Sequence, residues 1–222
     1  MTGDMELEGV ILAGGLSRRM GEDKFGLTLG SRTLLSRIAR RMGAVCSRVT
    51  VVVADEVQAR RVRAAAPELP PPLVERYAGC GPLAGVHAAL LAAKSPYVWT
   101  VACDMPFVIA PGALELAEKL RSGSAGCAVP LLDGRLQPLH GVYRREGGAA
   151  AAEILLAAGE YRLQRLLGLL EAETVDAGHW LEQGFDKPLF ALNLNTREEY
   201  MVCLELAERM EQHENGDPAG RL

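Results

Sequence analysis

No stretch of this chain stays apolar for the roughly 18 residues that a membrane-spanning helix requires, although 49% of its 222 residues are hydrophobic. Met1–Glu6 is acidic and polar, without the basic and apolar regions of a secretory signal. A C-x-x-C pair is also missing. The five cysteines, Cys46, Cys80, Cys103, Cys127 and Cys203, are odd in number and scattered. They exclude a disulfide framework and a cysteine-bound zinc, and read as the reduced thiols of a cytoplasmic protein. The formal net charge of −4 provides no basic field for nucleic acid. Neither a membrane nor a nucleic acid is therefore an expected partner. No internal repeat is visible. The length suits one sizeable core. We expect one domain over residues 1–210 and a disordered tail over 211–222, where Glu-Asn-Gly-Asp-Pro-Ala-Gly offers nothing to bury.

What the chain does have is an alternation of apolar runs and helical patterns. Strands are expected at Gly9–Ala13, Val49–Ala54, Leu73–Glu75, Tyr97–Ala102, Gly126–Pro130, Leu139–Tyr143, Glu173–Asp176 and Phe190–Asn193. Helices are expected at Thr33–Met42, Glu56–Ala66, Leu83–Ala93, Pro111–Leu120, Gly148–Ala158, Tyr161–Leu170 and Arg197–Glu211. Val49–Val53 is apolar on both faces, as a parallel strand covered by helices is. The alternation predicts a doubly wound α/β fold, its mostly parallel sheet covered by helices on both faces. Ligands then bind beyond the carboxyl ends of the strands. Pro70-Pro71-Pro72 reads as a rigid connector into a strand.

The first strand runs into Gly14-Gly15, and Arg18, Arg19 and Lys24 follow within ten residues. Glycines let main-chain N–H groups approach phosphate oxygens, and the cations neutralise phosphate charge. Two common phosphate loops are excluded. The spacing from Gly14-Gly15 to Gly21 does not fit G-x-G-x-x-G. For a P-loop, Gly15 to Gly21 is one residue too long, and Glu22-Asp23 stands where Lys-Ser is needed. A carboxylate, Asp104, closes the run Trp99–Cys103 ahead of Met105-Pro106. At a strand's carboxyl end it reads as a Mg²⁺ ligand bridging phosphate oxygens, or as a helix cap ahead of Pro111.

Leu12, Ala13, Gly14, Gly15, Ser17, Arg19, Met20, Gly21, Asp23 and Lys24 match L-A-G-G-x-S-x-R-M-G-x-D-K. That pattern resembles the signature loop of the molybdenum cofactor guanylyltransferase (MobA-type) family. Four further segments share the resemblance: Gly81-Pro82-Leu83-Ala84-Gly85, Cys103-Asp104-Met105-Pro106-Phe107, Gln137-Pro138-Leu139-His140-Gly141-Val142-Tyr143-Arg144-Arg145, which in the family leads into the acceptor-binding half, and Asn193-Leu194-Asn195-Thr196. It extends from about Gly9 to Tyr200. It implies a Rossmann-like nucleotidyltransferase fold and a Mg²⁺-dependent enzyme that transfers GMP from GTP to the terminal phosphate of molybdopterin. The product would pass to molybdoenzymes or cofactor chaperones. A relative using CTP or a sugar-phosphate acceptor, or a non-catalytic binder on the same fold, stays open as an alternative.

By the same resemblance, Leu12, Ala13, Gly14 and Gly15 cradle the nucleotide with main-chain groups. Arg19 and Lys24 hold the triphosphate and stabilise the leaving group. Asp104 binds Mg²⁺, joined by Asn195. Gly81, Pro82 and Leu83 form the base-contacting turn. Glu75 stands where the family usually has aspartate, and accepts from a ribose hydroxyl or from the guanine N1/N2 edge. The family's asparagine after the second strand is replaced by Val53-Ala54-Asp55, so that contact is missing or falls to Asp55. Thr196 is also a natural helix N-cap with Glu199 at its capping-box position. His140 reads first as a packed histidine. Arg162 and Arg165 read either as a solvated basic face or as contacts to an anionic acceptor.

Overall fold

The computed structural model describes residues 6–14, 24–182 and 185–216. The central sheet is built on β1 (Leu7–Leu12), β4 (Arg48–Val53), β5 (Leu73–Val74), β6 (Tyr97–Ala102), β7 (Cys127–Leu132), β8 (Arg135–Leu136), β9 (Val142–Arg144) and β10 (Glu173–Asp176). A separate hairpin joins β2 (Thr28–Leu29) to β3 (Arg32–Thr33). The helices are α1 (Leu34–Met42), α2 (Glu56–Ala65), α3 (Pro82–Ala92), α4 (Ala110–Ser122), α5 (Arg145–Ala157), α6 (Leu163–Leu169) and α7 (Arg197–Gly216).

The sheet order is β10-β7-β9-β6-β1-β4-β5, with β8 on the side of β7. β1 pairs in parallel with both β4 and β6, so Leu12 stands level with Val52 and Ala102 at their carboxyl ends. β9 runs antiparallel between β6 and β7. The sheet is thus mixed but mostly parallel, as the alternation implies.

Period-two alternation divides the core. Leu7, Ile11, Val51, Val53, Trp99 and Val101 face α1, α2, α4 and α7. Val10, Leu12, Val52 and Val98 face α3, α5 and α6. Glu8 is the polar exception in β1. It is buried, and its carboxylate accepts from the Lys94 and Ser95 amides at 2.8 and 2.9 Å just beyond α3.

Three expectations need correction. Phe190–Asn193 is not a strand. Phe190 is buried against the rings of His140 and Trp180, and Leu194 N–H bonds the Asp104 carbonyl at 2.9 Å, so the segment crosses the ends of the strands. The expected strand Leu139–Tyr143 begins only at Val142, because Pro138–His140 forms a 3₁₀ turn. The expected tail is helical as far as Gly216. Glu211 anchors it, accepting from Ser31 N–H at 3.3 Å and pairing with buried Arg37 at 3.2 Å. Residues 217–222 lie outside the described residues.

Candidate active site

A cleft of about 830 Å³ opens beyond the carboxyl ends of β1, β4 and β6. Its floor carries Leu12, Val52 and Ala102 at the level register of the three strands. Gly14 lines it, and a Cβ there would come within 3.4 Å of Glu75 Oε2 and 3.3 Å of the Ala54 amide. Glycine keeps that approach open. Of the expected phosphate-loop residues, Gly15 and Arg19 lie outside the described residues. Ala13 is buried, its side chain in the core and its amide used by the Val52 carbonyl at 2.8 Å.

Lys24 opens a short 3₁₀ turn and reaches into the site. Its ammonium lies 2.7 Å from Asn195 Oδ1 and 3.5 Å from Asp104 Oδ2. Three residues spread over the whole chain thus converge at one point. Asp104 is not a helix cap: the N-cap of α4 is Ile109, which has no side-chain cap bond. Asn195 is held by the helix after it. Glu199 accepts from the Asn195 and Thr196 amides at 2.6 and 2.9 Å, and Thr196 Oγ1 accepts from Glu199 N–H at 3.1 Å. The expected capping box is therefore present and fixes the neighbouring ligand-type residue.

Among the described residues, no group of three or more His, Cys, Asp or Glu is placed to hold a metal. Asp104 Oδ2 and Asn195 Oδ1 nevertheless both lie against one cation, the Lys24 ammonium. A carboxylate, a neutral amide oxygen and substrate phosphates form the donor set that Mg²⁺ takes when it keeps several waters.

Glu75 and the turn before α3 form the opposite wall. Glu75 is 9% exposed, and burial raises its carboxyl pKa from 4.5 to about 7, opposed by a backbone hydrogen bond from Gly79. Gly81 caps α3 with φ 70° and ψ −163°, a conformation essentially confined to glycine. Pro82 follows at the first helical position. Gly81 and Pro82 line the cleft. Leu83 does not; its side chain is fully buried in the core beneath α3, which leaves only its main chain for a ligand. Asp55 is occupied as the N-cap of α2, accepting from Gln58 N–H at 2.8 Å.

The far wall comes from Gln137–Leu139, Tyr161–Gln164 and Asn193. Arg162 lines it and Arg165 does not. Both guanidiniums are largely exposed and gather on Glu160, which Arg162 grips at 2.8 and 2.6 Å. His140 is packed, as its sequence setting suggests. It has no exposed surface, its Nε2 accepts from Ile109 N–H at 3.2 Å, and burial lowers its pKa to about 3. Asn193 lines the cleft with Asn195, as the resemblance of the Asn193-Leu194-Asn195-Thr196 turn implies. Sequence reasoning missed Tyr77, His87 and Glu153 around the base turn, which no motif marks.

A mostly parallel sheet with Gly14 at the end of β1, a carboxylate at the end of β6 and a lysine between that carboxylate and Asn195 is the arrangement of a nucleotidyltransferase. Residues 9–175 match the MobA-like NTP transferase domain. The chain belongs to the molybdenum cofactor guanylyltransferase (MobA-type) family. It is 33% identical over 206 residues to a probable molybdenum cofactor guanylyltransferase of Pelotomaculum thermopropionicum, covering 92% of this chain and 95% of that one. To the molybdenum cofactor guanylyltransferase of Syntrophotalea carbinolica it is 33% identical over 192 residues, covering 86% and 87%. The fold also resembles the crystal structure of molybdopterin-guanine dinucleotide biosynthesis protein A from Archaeoglobus fulgidus. There the TM-score is 0.76 at 22% identity, over 91% of this chain and 99% of that one.

Proposed function

We propose that this enzyme transfers GMP from GTP to the terminal phosphate of molybdopterin, releasing pyrophosphate. An oxygen of the acceptor phosphate attacks the α-phosphorus of GTP, and the bond to the bridging oxygen of pyrophosphate breaks. The acceptor is already anionic at neutral pH, so the site must position it and neutralise charge more than supply a general base. The convergence of Lys24, Asp104 and Asn195 beside the cleft is the observation that carries this reading.

Lys24 neutralises the charge that grows on the pyrophosphate leaving group, together with Arg19. Asp104 and Asn195 would hold Mg²⁺, which supplies charge neutralisation between phosphate oxygens. The main chain of Leu12–Gly15 lies along the nucleotide. Glu75 and the Gly81-Pro82-Leu83 turn read the base, the carboxylate accepting from guanine N1–H and N2–H₂. Adenine lacks those two donors, so Glu75 would stay buried and unpaired with ATP. The far wall takes the acceptor. Five free thiols suit the cytoplasm as the site of this reaction. The reading is tested by thermal shift with each of the four nucleoside triphosphates and Mg²⁺. GTP should raise the melting temperature most, and equal shifts with ATP and GTP contradict the guanylyl assignment.

A further inference from the structure

The segment from Glu75 to Gly81 joins β5 to α3 and forms one wall of the cleft, yet its own backbone does little to hold it. Glu75 N–H reaches the Val53 carbonyl at 2.9 Å, and Cys80 N–H reaches the Tyr77 carbonyl at 3.2 Å. The Gly79 backbone also bonds the Glu75 carboxylate, and side chains from the loop itself, α3 and α5 supply the rest. Glu153 of α5 accepts from the Tyr77 hydroxyl at 2.6 Å, and its other oxygen lies 2.6 Å from His87 Nε2 in α3. His87 is 1% exposed, and its ring meets that of Tyr77 edge-on, with centroids 5.5 Å apart. The Arg76 guanidinium stands 5.8 Å from the Tyr77 ring centroid.

One carboxylate therefore ties the loop and the helix on either side of the turn at Gly81. Neither Tyr77, His87 nor Glu153 lines the cleft, so none is placed to touch a ligand in it. From this geometry we propose that Glu153, acting through Tyr77 and His87, is a positioning residue that holds the Glu75–Gly81 loop against α3 and thereby sets base selectivity. The inference rests on the guanylyl reading of the cleft. The Tyr77 hydroxyl bonds a charged acceptor, the stronger kind of hydrogen bond, whereas Glu153 meets His87 Nε2 in a close contact without hydrogen-bond geometry. α5 packs closely on α3, so the loop is referenced to a rigid helix pair. Base discrimination by Glu75 needs that reference, because a misplacement of about 1 Å can cost up to 10²-fold.

Tyr77→Phe removes the hydrogen bond to Glu153 and keeps the ring against His87. Glu153→Gln keeps the side-chain length and removes the charge. We expect Tyr77→Phe to raise KM for GTP about tenfold, the weight of one hydrogen bond to a charged group. kcat at saturating GTP should change less than about twofold, since the reacting atoms are untouched. The GTP-to-ATP preference should fall in parallel with KM, and Glu153→Gln should fall between wild type and Glu153→Ala. A lowered melting temperature with an unchanged GTP-to-ATP ratio in both Tyr77→Phe and Glu153→Gln overturns the positioning role and leaves the guanylyl reading intact. A wild type that shows no preference for GTP overturns both.

Discussion

At the scale of single residues, the site places few charges at defined points. Lys24 is 13% exposed at its side chain and lies between an amide oxygen and a carboxylate. Lys24→Ala should lower kcat by a factor on the order of 10²–10³, the usual loss when one donor to a developing anion is removed. Turnover within a few-fold of wild type is incompatible with its role. In the proposed Mg²⁺ site, Asp104→Asn would exchange a hard anionic ligand for a neutral one. Its activity should be low and should recover as Mg²⁺ or Mn²⁺ is raised; normal activity at low Mg²⁺ removes the metal assignment.

Glu75 gives a pH signature. Burial holds its carboxyl near 7 in the free protein, against 4.5 for an ordinary glutamate. On the proposed base contact, guanine N–H donors would bind the ionised form, and below pH 7 GTP would first have to expel a proton. Affinity for GTP should fall about tenfold per pH unit below 7. Glu75→Gln should abolish that slope, read by titration at several pH values. Stability moves the other way. A raised folded pKa contributes stability below about 4.5 that is lost as pH rises through 7. Glu75→Gln should therefore raise the melting temperature of the free protein most above pH 7 and least below 4.5.

At the scale of elements, the sequence marked the framework well, because the signals there are local. Tyr97–Ala102 and Glu173–Asp176 fall at the expected limits, since continuous apolar or β-rich runs end at turn residues. Two hairpins went unread although their turns were visible. Asp133 and Gly134, both with positive φ, join β7 to β8, and Asp-Gly is a strong two-residue hairpin signal. Gly30-Ser31 joins β2 to β3 in the same way.

The site was legible in part. Asp104, Asn195 and Lys24 could be read from motifs, but their convergence depends on topology that no local pattern encodes. Leu83 and Ala13 showed the converse. They sit inside motifs because the core needs them, and their side chains never reach the cleft. The last helix was underestimated because its anchor is tertiary. Glu211 reaches Ser31 and Arg37, about 180 and 174 positions away in sequence. Glu211→Ala should lower stability by about 1–3 kcal/mol, seen as a lower urea midpoint at unchanged slope. An unchanged midpoint means that α7 is held by its apolar face alone.

At the scale of the whole molecule, the first half of the chain supplies the floor of the cleft and the Glu75–Pro82 wall. The second half supplies the far wall, the Asn195 turn and the Glu153 strut on the Glu75–Gly81 loop. The cleft over the ends of β1, β4 and β6 is therefore built from both halves of the chain, with Asp104 and Asn195 in its lining and Lys24 against both. Transfer of GMP to molybdopterin is the claim on which every assignment above depends. The most direct measurement supplies the purified protein with Mg²⁺, molybdopterin and each nucleoside triphosphate in turn, and follows pyrophosphate together with the pterin product. The account predicts pyrophosphate with GTP only, dependent on molybdopterin, and matched mole for mole by a guanine-bearing pterin dinucleotide. Release that is equal with CTP or independent of molybdopterin contradicts it, as does the absence of any dinucleotide product.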